Sequence, residues 1–326
     1  MSGNNVLKNH SALCQAFEIM RILFHKRRLL PMSKEVEDFE SEARPHVSKL
    51  LHFMDKKEPI HLILPAFPAK SPNRKKTLSA YPDKGEEVAL AHLNEICQRI
   101  QTVYSPGAKL TLCSDGRVFA DIVRIPDEDV TTYKKDLIDR VSFPYRDVID
   151  FFDLDDAYPS ITDYDCLREE LMINHGESLH KLRLKCKTDI SAGEMYKGIC
   201  RFLVEDFSGL DEFGGHSKSG VLNIARPAAY RVIQRSNAWS QLLKRYFPTS
   251  IRLSIHPQPR VSEKIGAFLV ETKDAWRTPW HSVALKRGET ISLVPRSRAE
   301  SEDAHLIFEN GRASYFAVPT LASKGD

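Results

Sequence analysis

Pro59-Ile60-His61-Leu62-Ile63-Leu64-Pro65, released into Lys70-Ser71-Pro72-Asn73-Arg74-Lys75-Lys76, is the stretch whose reading decides the fold. A largely apolar run of strand length, bracketed by prolines and followed by a polar loop, predicts a buried parallel strand. Open α/β sheets place ligands at the carboxyl ends of such strands, so the Lys70–Lys76 loop is a candidate site from its position alone. It carries four cations, an amide and a hydroxyl, chemistry suited to an anionic, polar ligand. Read in isolation, Arg74-Lys75-Lys76 is also an ordinary solvated charged face.

Moving outward, Asp83 and Glu86 have capping-box spacing, and Val88, Leu90, Leu93, Ile96, Cys97, Ile100 and Val103 keep a helical period until Ser105-Pro106-Gly107. Lys109-Leu110-Thr111-Leu112-Cys113 then reads as a second strand, ending on Ser114-Asp115-Gly116-Arg117. Strand, helix and strand make a βαβ-like unit, whose crossover sets both polar loops on one sheet edge. The expected class is α/β: a Rossmann-like, open and largely parallel sheet with surrounding helices.

The rest of the chain fits one domain, residues 1–326. Docking helices are expected over about 7–55, with Lys26, Arg27 and Arg28 closing the first and Pro45 breaking the second. The α/β core covers about 57–320. Within it Arg117 to Arg124 has strand character, and Asp127 to Arg140 reads as a helix. A helical insertion over about 160–247 comprises helices near 162–187, 192–207 and 217–247, the last divided or kinked at Pro227. In Ile251-Arg252-Leu253-Ser254-Ile255-His256 apolar and polar residues alternate, so one pleat face aligns a cation, a hydroxyl and an imidazole. By pattern alone this is also an edge strand wetting its polar side. Two runs flanking Arg287-Gly288-Glu289 predict a hairpin, and a short element follows at Tyr315–Val318.

Composition narrows the function. The chain is 42% hydrophobic and 28% charged, an ordinary globular balance, and its formal charge of +3 is small for a nucleic-acid binder. Six cysteines lack any CxxC pair, as expected of reduced thiols in a cytoplasmic protein. No secretory apolar core opens the chain, and no run approaches the roughly 20 apolar residues that span a bilayer. Gly209 to Gly220 has Gly215 where a phosphate loop requires lysine, and there is no GxGxxG, HExxH or GxSxG. His256, His281 and Asp115 lack the close His-x-Asp pair of a two-histidine iron site, so no metal is expected.

Ala66-Phe67-Pro68-Ala69-Lys70-Ser71-Pro72-Asn73, Tyr81-Pro82-Asp83 and Ser114-Asp115-Gly116-Arg117-Val118-Phe119-Ala120-Asp121 resemble motifs of the isonitrile (isocyanide) synthases of the pyoverdine/dityrosine biosynthesis family. Arg235-Ser236-Asn237-Ala238-Trp239, Arg252-Leu253-Ser254-Ile255-His256-Pro257 and Thr278-Pro279-Trp280-His281 continue the resemblance in order, over roughly residues 60 to 285. It implies condensation of the α-amine of tyrosine or tryptophan with the ketone of ribulose 5-phosphate. The ketone carbon becomes the isocyano carbon, and the flanking carbons leave by C–C cleavage.

The resemblance implies no cofactor beyond the sugar phosphate as co-substrate, no nucleic-acid or membrane partner, and a downstream oxygenase acting on the product. His256, His281, Asp115 and Lys70 are the implied catalytic groups. Asn73, Arg74, Ser114, Arg117, Lys218, Arg252 and Ser254 are the implied substrate-binding ones. On the residues alone, a non-catalytic sugar-phosphate-binding protein and a basic nucleic-acid-binding protein stay open. The first needs Lys70, Arg74 and Arg117 but not the imidazoles; the second would use Lys26–Arg28 and Arg74–Lys76.

Overall fold

The computed structural model describes residues 2–30, 38–274 and 276–319. Helices α1 (Ser2–Phe24) and α2 (Phe39–Lys56) lead into strand β1 (Ile60–Pro65), followed by helix α3 (Lys84–Val103) and strand β2 (Ala108–Cys113). Residues 31–37 of the expected docking helices lie outside the described residues, as do Met1 and the tail from residue 320. Asp83 caps α3 as its spacing predicted: its carboxylate accepts from the Gly85 N–H at 2.9 Å, and its own N–H donates to Glu86 Oε2 at 2.9 Å.

β1 is central. With β3 (Ile149–Phe152), β4 (Ile251–Ser254) and β5 (Lys264–Gly266) it forms a parallel sheet in the order β3-β2-β1-β4-β5. β1 pairs with β2 from Ile60↔Ala108 to Pro65↔Cys113, and with β4 at Leu62↔Ile251. Strand order therefore reverses between β1 and β4, the topological switch point where such sheets bind ligands. Ile60, Leu62, Leu64, Ile251 and Leu253 pack on one face with Met20, Leu50 and Leu93 of α1 to α3. Ile63 and Cys113 face the other way, toward the helical insertion.

Between β2 and β3 lie α4 (Gly116–Val123) and α5 (Asp127–Asp136); after β3 come α6 (Leu154–Ala157), α7 (Tyr164–His175), α8 (Leu179–Thr188), α9 (Ile190–Phe207) and α10 (Lys218–Tyr246). Trp239, Leu242 and Leu243 of α10 close over Ile63 and Cys113. A second sheet, order β7-β6-β9-β8, follows: β6 (Val283–Arg287), β7 (Thr290–Val294), β8 (His305–Glu309) and β9 (Arg312–Ala317), with α11 (Arg296–Ser301) between β7 and β8. The predicted hairpin is β6–β7, turned by Gly288 at φ +57°.

Four expectations are corrected. Arg117 to Arg124 is not a strand but most of α4: Val118, Ala120 and Ile122 alternate because the short helix is buried on more than one side, Val118 in one core and Ala120 in the other. Pro45 and Pro227 break nothing, since α2 and α10 run through them. The predicted helix at 162–187 is two, α7 and α8, parted at Gly176. β3 and β5, at the sheet's two ends, are four and three residues long, too short to show a period.

Candidate functional site

The loops leaving β1 and β2 are locked together at the carboxyl edge of the sheet, as the crossover requires. A Cβ on Gly116 would strike the Pro68 carbonyl, so only glycine admits this approach. Ser114 Oγ donates to the Phe67 carbonyl at 2.9 Å, and Phe67, at φ +58°, sets its ring 5.3 Å from that of Trp280. The Ser71 N–H donates to the Trp280 carbonyl at 2.9 Å. Asn73 joins the insertion to this edge: its Nδ2 donates to the Glu205 carbonyl at 3.0 Å and its Oδ1 accepts from the Lys75 N–H at 2.9 Å. Both ends of its amide are engaged, so Asn73 and Ser114 shape the walls.

Lys70 is also engaged. Its ammonium lies 2.7 Å from Asp83, 2.8 Å from Glu86 and 3.1 Å from the Pro279 carbonyl, and its side chain is 0% exposed. Burial pulls this amine down, but the two carboxylates outweigh burial and hold it above the ordinary lysine range. Burial, opposed by Lys70 and aided by Glu86, pushes Asp83 up to about 7. The Tyr133 hydroxyl donates to Glu86 at 3.2 Å and completes the network.

Arg117 is likewise held: it donates to Asp127 Oδ1 and the Asp127 carbonyl at 2.9 Å each and to Thr131 at 2.8 Å, with its guanidinium 3.7 Å from the Tyr164 ring centre. Its Nε is buried without a hydrogen-bond partner, 3.7 Å from Asp155 Oδ1. Arg74 is exposed and folded onto its own loop, donating to Thr77 Oγ1 at 3.1 Å and the Ser71 carbonyl at 3.3 Å. Lys218 is exposed at the first position of α10.

The groups left with unused hydrogen-bonding atoms are those where chemistry can occur, since buried polar atoms are otherwise almost always paired. Asp115 precedes α4 in the capping position yet makes no capping bond, and its Oδ1 is buried without a partner. Burial pushes its carboxyl up to about 7. His281 Nδ1 is buried and unbonded, 3.7 Å from Asp206 Oδ2, and its ring packs edge-on to Phe202 at 4.7 Å. Burial lowers this imidazole to about 4, with Asp206 opposing, so it is neutral at pH 7. Asp206, 1% exposed, belongs to α9 and also binds Lys76 at 2.6 Å.

His256 lies beside Trp276, ring centres 5.2 Å apart. His256 is exposed, and partial burial of its ring, then Arg28 and Lys264, hold the imidazole below its usual range. His256 and His281 lie close enough that charge on the first depresses the second. On β4 the expected two faces exist: Leu253 is in the main core, while Arg252 points oppositely and donates to Ser240 Oγ at 2.7 Å. Ser254 Oγ accepts from the His256 N–H at 3.2 Å and shapes the turn that presents the histidine.

Sequence reasoning missed Asp206 and Lys264. Asp206 sits in an amphipathic helix where one carboxylate looks like any other; Lys264 opens a strand too short to recognise. Among the described residues, no three His, Cys, Asp or Glu side chains gather as a metal site, and no helix is long and apolar enough to cross a membrane. None of the six cysteines is in a disulfide; Cys97, Cys113 and Cys200 are buried.

Comparison with known proteins bears on this arrangement. The sequence profile described as "Pyoverdine/dityrosine biosynthesis protein" matches residues 50–307. An L-tryptophan isonitrile synthase of Fischerella ambigua is 42% identical over 302 residues, 92% of this chain and 91% of that protein. An L-tyrosine isonitrile synthase of Pseudomonas aeruginosa is 37% identical over 312 residues, 94% of each chain. The crystal structure of the PvcA protein from Pseudomonas aeruginosa superposes with a TM-score of 0.84 at 37% identity, covering 93% of this chain and 99% of that one.

Proposed function

The chain belongs to the pyoverdine/dityrosine biosynthesis protein family, and from that premise we propose that it is an isonitrile synthase acting on an aromatic L-amino acid, tryptophan or tyrosine. Its co-substrate in this reading is ribulose 5-phosphate, whose ketone condenses with the α-amine before C–C cleavage leaves one carbon on nitrogen as the isocyanide. What supports the reading is that the loop after β2 carries Asp115 with its Oδ1 buried and unpartnered, that His281 has a buried Nδ1 without a hydrogen bond, and that the chain is so similar to named isonitrile synthases.

Imine formation needs an unprotonated amine, and C–C cleavage needs a base and then an acid. His281 takes the proton: with Nδ1 turned to Asp206, Nε2 is the accepting nitrogen. Asp115, poised near neutrality, exchanges protons with the departing oxygen and carbon centres. His256 serves the same transfers from the β4 side, and Trp276 and Phe202, one beside each histidine, offer faces for the substrate ring. Lys70, Asn73, Ser114, Arg117 and Ser254 act as positioning residues, while Arg252, Arg74 and Lys218 remain available to anions. No metal or organic cofactor enters this reading; a cytoplasmic setting and a downstream oxygenase belong to it.

The test is incubation of the purified protein with L-tryptophan or L-tyrosine and ribulose 5-phosphate. An isocyanide stretch in the infrared, with the matching product mass, is expected for one amino acid. Intact substrates with both amino acids would sink the reading.

A further inference from the structure

Arg252 and Lys264 stand opposite one another in the β4–β5 register. Their successors Leu253 and Ile265 point into the main core, so the two cations share the other sheet face. Like charges directly across a strand pair repel, and exclusion of water strengthens the repulsion. Arg252 is 9% exposed; Nη1 donates to Ser240 Oγ and, at 3.3 Å, to the Ser240 carbonyl, while Nε is buried without a partner. Lys264 is half-buried, and burial, then Arg252 and Lys244, pull it down to about 8 against a smaller opposing pull from Glu263. Among the described residues neither cation has a carboxylate in ion-pair contact; Glu263, its side chain 81% exposed, pairs with Lys244 at 3.5 Å.

Three other buried cations of this fold are neutralised: Lys70 by Asp83 and Glu86, Arg117 and Arg168 by Asp127. Two uncompensated cations on a covered sheet face form a site that an anion completes. Lys264 also acts electrostatically on His256, which follows β4.

We propose that Arg252 and Lys264 are the phosphate subsite for the sugar phosphate, Ser240 holding the guanidinium in place. This deepens the function proposed above and rests on it. A phosphate dianion neutralises both cations, whereas the carboxylate of the amino acid leaves one charge over. That difference selects the phosphate.

Lys264→Met and Lys264→Arg test the assignment through steady-state KM for each substrate, calorimetry with inorganic phosphate and with ribulose 5-phosphate, and melting with and without phosphate. Lys264→Met should raise KM and Kd for ribulose 5-phosphate at least about tenfold, the worth of one charge-assisted hydrogen bond. The loss should fall on the sugar phosphate and not on the amino acid, and Lys264→Arg should restore most of it. Lys264→Met should melt no lower than wild type, since a repulsion is removed, and phosphate should raise the Tm of wild type and of Lys264→Arg but not of Lys264→Met. A lower Tm without ligand would mark a structural lysine and overturn the proposal, as would an unchanged KM for ribulose 5-phosphate or a loss confined to the amino acid. If wild type forms no isonitrile, the proposed function fails while calorimetry still decides the subsite: phosphate binding abolished in Lys264→Met supports it, and equal binding by both proteins overturns it.

Discussion

Lys70 and Lys264 occupy two regions of the same sheet with opposite electrostatics. Lys70, in the loop after β1, meets two carboxylates from the start of α3 and a carbonyl from the turn before β6. Lys264, at the start of β5, meets Arg252 across the strand pair and has no carboxylate partner among the described residues. A compensated buried cation holds its neighbours in place, whereas an uncompensated one raises the free energy of the empty site and lowers it when an anion arrives. Family motifs drew attention to Lys70; compensation draws it to Lys264.

The largest effect should come from the ground between these regions. His281→Gln should keep the fold and slow turnover by roughly 10²–10⁴-fold, the usual worth of a general acid–base group. Asp206→Asn should lose less and shift the pH profile of kcat/KM. Full activity in His281→Gln would leave both lysines without a shared site to serve.

Next, Lys70→Met should be destabilised by about 3–5 kcal/mol in urea unfolding, because Asp83 and Glu86 are left buried without their cation. A Lys70→Met protein as stable as wild type would break the contrast with Lys264.

A smaller effect concerns pH. Burial raises the folded pKa of Asp115 from 3.8 to about 7, so its proton is bound more tightly in the fold. That contribution to stability is full below 3.8 and is lost as pH rises through about 7. The Tm of Asp115→Asn relative to wild type should therefore climb between pH 4 and 7. Asp83 has the same sign, so part of the decline persists in the variant and should vanish only when the Lys70 network is also altered. A Tm difference flat across this range would show Asp115 to be solvated.

The smallest effect belongs to Arg74, exposed, whose side chain bonds within its own loop. Arg74→Ala should change stability by no more than about 0.5 kcal/mol in the same urea assay. A cost near that of Lys70→Met would mean that the whole loop, and not one compensated lysine, carries the wall.

Much of this was legible from local pattern. The β1 run, the Asp83–Glu86 capping box and the crossover to β2 are features of period and spacing, and they place both polar loops on one edge before any coordinate is known. Alternation in Ile251–His256 likewise assigned Leu253 to the core and Arg252 to the opposite face. Where burial came from several sides the period misled, as at α4, and strands of three or four residues carried no period at all.

What the sequence determined by itself was the α/β class, the ligand-bearing edge and the residues crowded there, because hydrophobic period and chain reversal act between neighbours in the chain. What the tertiary structure decided was which charges are answered. Lys70 finds a partner carbonyl in Pro279, His281 finds Asp206 on the helical insertion, and Arg252 finds Lys264 across a strand pair. Charge compensation depends on distance through space in a medium stripped of water, and only the fold brings these distant side chains within a few ångströms of one another.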